Sequence, residues 1–298
     1  MRRSPDGSPR TVELDRFFAN GYHSQRGGAS GAAPTTRRQR RDTRVTESVR
    51  TDFGDGIAVI TIDRPEAKNA VDKSVAEGLA AAVDEFEARK DLTIAILTGA
   101  GGTFCAGMDL KGFARGERPS IPGRGFGGVT ERPPQKPLIA AVEGWALAGG
   151  CELALSADLI VASREAKFGL PEVKRGLVAA AGGLLRLPKA LPYQLAMEVA
   201  LTGDPLTAEK AHAHGLINSL TEPGGALEAA KELAGRVAAN GPLAVRATKE
   251  IVSGALRWTD ADAFREQAEI VGPVFNSADA QEGARAFAEK RAPVWRGE

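Results

Sequence analysis

Residues 145–155 read Trp145-Ala146-Leu147-Ala148-Gly149-Gly150-Cys151-Glu152-Leu153-Ala154-Leu155, and the rest of the chain is best read outward from them. Just upstream, residues 137–142 have the composition of a buried strand. The glycine pair then opens a helix that carries Glu152 in its first turn. The first N–H groups of a helix lack intrahelical acceptors and bear partial positive charge, so this arrangement suits a negatively charged oxygen. Because glycine has no Cβ, the pair is expected to let a substrate come close to the backbone. A second glutamate, Glu172, follows twenty residues later in Phe168-Gly169-Leu170-Pro171-Glu172. Taken by itself this pattern is accounted for by a capped core helix and one surface glutamate; a third stretch decides otherwise.

That stretch is Phe104-Cys105-Ala106-Gly107-Met108-Asp109-Leu110. In this order and spacing the three stretches resemble the crotonase superfamily (the enoyl-CoA hydratase/isomerase family), closest to its enoyl-CoA hydratases, from about residue 49 to residue 295. The resemblance implies an α/β fold: a crotonase-like spiral of β-β-α repeats with a C-terminal helical oligomerisation region. Alternating strands and helices independently suggest a layered α/β core. It further implies that the backbone N–H groups of Met108 and Gly149 hold a thioester oxygen, and that Glu152 and Glu172 are the hydratase pair. In that pair one carboxylate acts as base toward a water and the other delivers a proton, and spacing does not say which does which. Isomerases usually lack one of the two, so the retained pair favours reversible addition of water to a 2-enoyl-CoA. The alternatives are a carnitinyl-CoA-type dehydratase, an enoyl-CoA isomerase, or a non-catalytic binder of CoA esters or RNA.

For coenzyme A the resemblance points to the loop Arg64-Pro65-Glu66-Ala67-Lys68-Asn69-Ala70, with Lys68 and Ala70 as contacts. Ala106, Asp109, Leu110 and Lys111 are expected beside the thioester, and Phe287 and Lys290 match a Phe/Lys pair supplied by this or a neighbouring subunit. Without the resemblance Lys68 and Lys290 read as solvated surface lysines. The implied enzyme binds no permanent cofactor, meets CoA only as part of its substrate, assembles as a homotrimer or dimer of trimers, and is cytoplasmic. Two departures border the acyl pocket. Met108 replaces a commoner small residue, and 173–183 lacks the proline that many hydratases carry before the glycines.

Composition narrows the rest. At 298 residues the chain can bury one large core with a small appendage. A net charge of +1 leaves no electrostatic footprint for nucleic acid or an anionic membrane in the body of the protein. No apolar run reaches the roughly 18 residues of a membrane span. Both cysteines, Cys105 and Cys151, sit inside the motifs and read as reduced packing residues. Three histidines, of which His212 and His214 point to different helix sides, do not make a metal site. Gly99-Ala100-Gly101-Gly102 is not a dinucleotide loop, since Phe104 stands in place of the third glycine.

The chain divides into 1–44, 45–240 and a helical 241–298 expected to trimerise. Residues 1–44 hold ten arginines and no lysine, with no apolar periodicity, and disorder is expected there. A transit peptide, a basic arm and an over-extended start upstream of Val45 all fit that composition. Residues 57–62 and 93–98 are predicted strands. A helix is predicted from the N-cap Asp72, with Val75, Leu79, Val83 and Phe86 on its buried face. Residues 112–134 read as a long lid or binding loop. Strands follow at 138–142, 159–162 and 216–220, and helices at 193–201, 208–212, 227–239, 243–256, 261–270 and 279–290.

Overall fold

The β-branched run at 57–62 is the third strand along the chain, and the sheet grows from it in both directions. The structure is a computed structural model that describes residues 42–45 and 48–298, within the compact unit Gln39–Glu298. The arginine-rich 1–41, and the readings made of it, lie outside the described residues. β1 (Asp42–Val45), which straddles the boundary expected at residues 44 and 45, β2 (Val49–Gly54) and β3 (Ile57–Ile62) form an antiparallel meander. After α1 (Lys73–Ala88), β4 (Ile94–Gly99) joins β3 in parallel. Asp72 caps α1 by accepting from the Val75 N–H at 2.9 Å, and Val75, Leu79, Val83 and Phe86 are all buried, as the spacing predicts.

The segment 112–134 is more ordered than its glycines and prolines suggest. It takes in most of α2 (Leu110–Ala114) and a small hairpin, β5 (Ser120–Ile121) with β6 (Gly125–Phe126). The chain then runs through β7 (Leu138–Val142), β8 (Trp145–Leu147), α3 (Gly149–Leu155), β9 (Leu159–Ser163) and β10 (Lys167–Gly169). A 3-10 turn at Pro171–Arg175 leads to α4 (Gly183–Ala190), α5 (Tyr193–Thr202), β11 (Leu206–Thr207), α6 (Ala208–Ala213) and β12 (Ser219–Thr221). The strand expected at 216–220 is therefore shorter and later: Leu216 and Ile217 are buried core residues ahead of it. Helices α7 (Ala226–Ala238), α8 (Pro242–Ala255), α9 (Asp260–Phe275) and α10 (Ala278–Glu289) complete the chain, α9 running past the expected 270 through Pro273.

The large sheet has the order β1-β2-β3-β4-β7-β9-β12, parallel from β3 onward. A second layer runs alongside it, built from parallel bridges Val71–Met108 and Cys105–Ala146 and from the parallel pair β8–β10. Each turn of the chain thus visits the large sheet, then the second layer, then a helix, which is the β-β-α spiral expected. Both faces of the parallel strands are covered, and alternate residues divide between them. On β4, Ala95 and Leu97 join the core with α1, whereas Ile94 and Ile96 pack with Ala230 and Ala234 of α7.

One buried side chain ties the layers together. Asn69 is fully buried in the left-handed region at φ 56°, where asparagine is tolerated better than most residues. Its Oδ1 accepts from the Arg64 N–H at 2.9 Å, and its Nδ2 donates to the carbonyls of Ala100 at 2.8 Å and Thr103 at 2.6 Å. Truncation strands three part-buried backbone groups. Asn69→Ala is therefore expected to lower the unfolding free energy by about 2–4 kcal/mol, read from denaturant midpoints, and an unchanged midpoint would remove this residue from the frame.

Candidate active site

Two backbone N–H groups face one cleft. Val71 takes the Gly107 carbonyl at 2.8 Å and gives its own carbonyl to the Asp109 N–H at 2.9 Å, so Met108 between them turns its N–H away from Val71. Gly107 sits at φ 101° against the turn before α3, where an added Cβ would lie 2.9 Å from the Leu147 carbonyl oxygen and 3.3 Å from the Gly149 nitrogen. The Ala148 N–H donates to Gly169 at 2.8 Å, which leaves Gly149 as the first residue of α3. Among the described residues neither the Met108 nor the Gly149 N–H has a protein acceptor. Ala148 reaches this position only at φ 51° and ψ −129°, backbone strain placed directly beside the pair.

The glycine pair does something other than the sequence suggests. A Cβ on Gly149 would strike the Phe126 ring, and one on Gly150 would strike the Cys105 carbonyl. The space freed by the missing side chains is filled by the protein itself. Cys105 and Cys151 are buried free thiols, and burial pushes Cys105 up to about 12 and raises Cys151 as well, the setting of inert packing cysteines.

Glu152 projects from the first turn of α3 and is 3% exposed. Its Oε1 accepts from the backbone N–H groups of Ala181 at 2.7 Å and Gly183 at 2.9 Å. Burial raises its pKa, while these two hydrogen bonds and the charge of Arg186 pull it back. Glu172 enters from the 3-10 turn, and its Oε2 is buried without a partner among the described residues. Burial raises its pKa, its own N–H lowers it, the nearby Glu152 charge raises it further, and the charge of Arg175 lowers it. Both carboxyl groups line one cleft of roughly 390 Å³ together with Met108 and Gly149. Two free donors beside a pair of desolvated carboxyl groups can steady an oxyanion while one carboxyl takes a proton and the other gives one.

The remaining expected residues divide. Ala106 and Leu110 line the cleft. Asp109 does not: it caps α2, accepting from the Lys111 N–H at 3.0 Å and the Gly112 N–H at 3.1 Å, and pairs with Arg64 at 3.1 Å. Lys111 is exposed on α2, and Lys68 is exposed at φ 51° beside the buried Ala70, whose carbonyl accepts from Arg64 at 2.8 Å. Phe287, 84% exposed, and Lys290, the C-cap of α10, do not line the cleft. Sequence reasoning missed Phe113, Phe126 and Glu131 from the 112–134 segment and Arg175 and Val178 from the segment after Glu172, all of which line it. It also missed Arg186 behind Glu152. A long Gly- and Pro-rich loop signals a cap, but nothing periodic says which of its residues turn inward. Among the described residues no three His, Cys, Asp or Glu side chains cluster as metal ligands.

The family described as enoyl-CoA hydratase/isomerase matches residues 52–298. Carnitinyl-CoA dehydratase of Salmonella typhi is 42% identical over 262 residues, covering 85% of this chain and 100% of that protein. Among solved structures, an enoyl-CoA hydratase from Mycobacterium tuberculosis is 60% identical with a TM-score of 0.83, covering 85% of this chain and 100% of that one. A carnitinyl-CoA hydratase from Mycobacterium avium is 42% identical with a TM-score of 0.68 at the same coverage. With the spiral, the paired N–H groups and a family match over most of its length, the chain belongs to the enoyl-CoA hydratase/isomerase family of the crotonase superfamily.

Proposed function

We propose that this crotonase-superfamily enzyme is an enoyl-CoA hydratase, adding water reversibly across the 2,3 double bond of a 2-enoyl-CoA to give a 3-hydroxyacyl-CoA. The observation that carries the reading is the convergence of Glu152, Glu172 and the N–H edges of Met108 and Gly149 on one cleft. The thioester oxygen sits between the two N–H groups. Glu152, ionised and fixed through Oε1 by two N–H groups, takes a proton from water as the water oxygen bonds to C3. The electron pair of the double bond moves onto the thioester as an enolate, which the N–H groups of Met108 and Gly149 stabilise by about 3–4 kcal/mol each. Glu172, whose buried oxygen without a partner favours the protonated form, then delivers its proton to C2. One water is consumed, one C–O and one C–H bond form, and the proton on Glu152 returns to the pair. The two carboxyls titrate as a couple rather than singly.

A second reading has a specific basis, since relatives at 42% identity are named for carnitinyl-CoA. A dehydratase of a carnitine-like CoA ester uses the same N–H groups and glutamates in the opposite direction and differs only in the acyl group. Kinetics with crotonyl-CoA, longer 2-enoyl-CoAs and carnitinyl-CoA separate the two. Movement of a 3-enoyl double bond without any hydration would overturn both. CoA enters this scheme only within the substrate, and no permanent cofactor is required. Lys68, Ala70, Phe287 and Lys290 are proposed to contact the CoA moiety from this or a neighbouring subunit.

The same reading makes the protein a cytoplasmic homotrimer or dimer of trimers joined through 241–298. Among the described residues no helix is long and apolar enough to cross a membrane. Helix α9 buries none of its residues and exposes Phe264 at 81% and Phe275 at 75%. Light scattering at micromolar concentration is expected to give three or six chains, and a lone monomer would count against assembly through these helices. Glu152→Gln and Glu172→Gln are each expected to keep acyl-CoA affinity within a few fold and to lose at least about a hundredfold in kcat. Full turnover in either variant would remove that glutamate from the chemistry.

A further inference from the structure

Behind Glu152 stands a charged side chain that the proposed steps do not use. Arg186, half-buried on α4, donates from Nη2 to the Thr130 carbonyl at 2.6 Å. The guanidinium folds back over Gly182, which is held at φ 98° and where a Cβ would run into Nη1. Gly183, next in the chain, would place its Cβ 2.9 Å from Glu152 Cγ and 3.1 Å from Oε1. The two glycines therefore seat opposite charges side by side, a guanidinium over one and a carboxyl over the other. The attraction acts across the pair without a direct hydrogen bond, because the bonds to the Glu152 carboxyl come from Ala181 and Gly183. A cation at this remove favours the carboxylate but leaves its second oxygen open to a water, which a bidentate ion pair would not.

We propose that Arg186 is a positioning residue for the reaction: anchored on the Thr130 carbonyl and admitted by Gly182, it is a fixed counter-charge that, alongside the Ala181 and Gly183 N–H groups, favours the carboxylate of Glu152 for water activation. A guanidinium suits this role because it stays charged throughout the working pH range even when partly desolvated. The other charges around the pair do not substitute for it. Glu172 and Glu131 line the same cleft and supply no positive charge, and Arg175 acts on Glu172. On the far side of Arg186, Asp158 borders a cavity of roughly 190 Å³ and is itself bound by Lys249 at 2.6 Å.

The inference rests on Glu152 acting as the base in the proposed hydration, and it is read from the pH dependence of kcat. Removing a positive charge beside an anionic carboxylate raises its pKa, so activity on the acid side, where Glu152 protonates, is lost at higher pH than before. In Arg186→Gln and Arg186→Ala the acid limb is expected to move up by about one unit. In Arg186→Lys, which restores the charge, it stays within about 0.3 unit of its original place. Butyryl-CoA, which carries no double bond to hydrate, should bind all three variants within threefold of the unaltered enzyme. An unmoved limb in folded Arg186→Gln or Arg186→Ala overturns the proposal. So does an equal shift in Arg186→Lys, which remains a usable comparison if the neutral variants fold poorly. A pH-independent loss of kcat with butyryl-CoA binding intact does so as well, since the role would then not run through the charge on Glu152. Failure of the hydratase reading is a separate outcome, seen when the unaltered enzyme hydrates no 2-enoyl-CoA.

Discussion

The site depends on one register in the second layer. Val71 pairs with the residues on either side of Met108, and the alternation of a strand then obliges Met108 to present its N–H in the opposite direction. Unpaired N–H groups inside a protein are costly, so a fold that keeps two of them facing one cleft must hold them there by other means. Here the restraint comes from the loop that precedes Val71. Arg64 bonds the Ala70 carbonyl and pairs with Asp72 at 3.0 Å and Asp109 at 3.1 Å, while Asn69 fixes the start and end of the same turn to the β4 loop. The second N–H is held differently. Ala148 is kept in a strained conformation at positive φ because its N–H is engaged by Gly169 and the glycines after it are pinned by Phe126 and Cys105. The two halves of the donor pair are thus set by independent parts of the chain that meet where Gly107 touches Gly149.

The same reasoning explains why the glutamates differ. Burial penalises the charged form of both; Glu152 is offset by two N–H groups from another segment and by a cation across the glycine pair, Glu172 by its own N–H and the charge of Arg175. Glu172 lies near both a negative charge, Glu152, and a positive one, Arg175, and among the described residues its buried oxygen has nothing to accept from. Burial raises the pKa of both carboxyl groups, but their surroundings differ: two N–H groups hold an oxygen of Glu152, while an oxygen of Glu172 is buried without a partner among the described residues. Glycine at 182 and 183 is part of this electrostatic arrangement, since a Cβ at 182 would meet the Arg186 guanidinium and one at 183 the Glu152 side chain.

The parts of the molecule legible from sequence are those governed by local rules. The buried face of α1 follows from the spacing of Val75, Leu79, Val83 and Phe86, and its start follows from the side chain of Asp72. The parallel strands announce themselves by continuous apolar composition. Glu152, Glu172 and the Gly149 turn stood out because their order and spacing match a family pattern. What was not legible depends on contacts between distant segments. Strand β8 is three residues long and exists because Lys167–Gly169 pairs with it. The expected strand at 216–220 begins late because Leu216 and Ile217 fill the core before the chain reaches β9. Asp109 looked like a ligand contact and is a helix cap, since a carboxylate two residues before an N–H reads the same either way until the backbone direction is known. The glycine pair was misread for a related reason: sequence says that a Cβ is absent, and only packing says what occupies the space.

This division also separates the reaction from its substrate. The donors and the glutamates are fixed by backbone register and by short motifs, so they survive changes elsewhere. The wall of the cleft is built instead from the 112–134 cap, through Phe113, Phe126 and Glu131, and from the segment after Glu172, through Arg175, Leu177 and Val178. Those side chains stand on turns whose backbone tolerates many residues, and the departures in 173–183 lie in that wall. A pocket distinguishes acyl chains differing by one methylene by only about 1–3 kcal/mol, so a few substitutions there redirect specificity without touching the chemistry. A carboxylate and two aromatic rings in the wall give it the means to hold more than a plain alkyl chain. Relatives with one scaffold and names as different as enoyl-CoA hydratase and carnitinyl-CoA dehydratase are what such a construction produces.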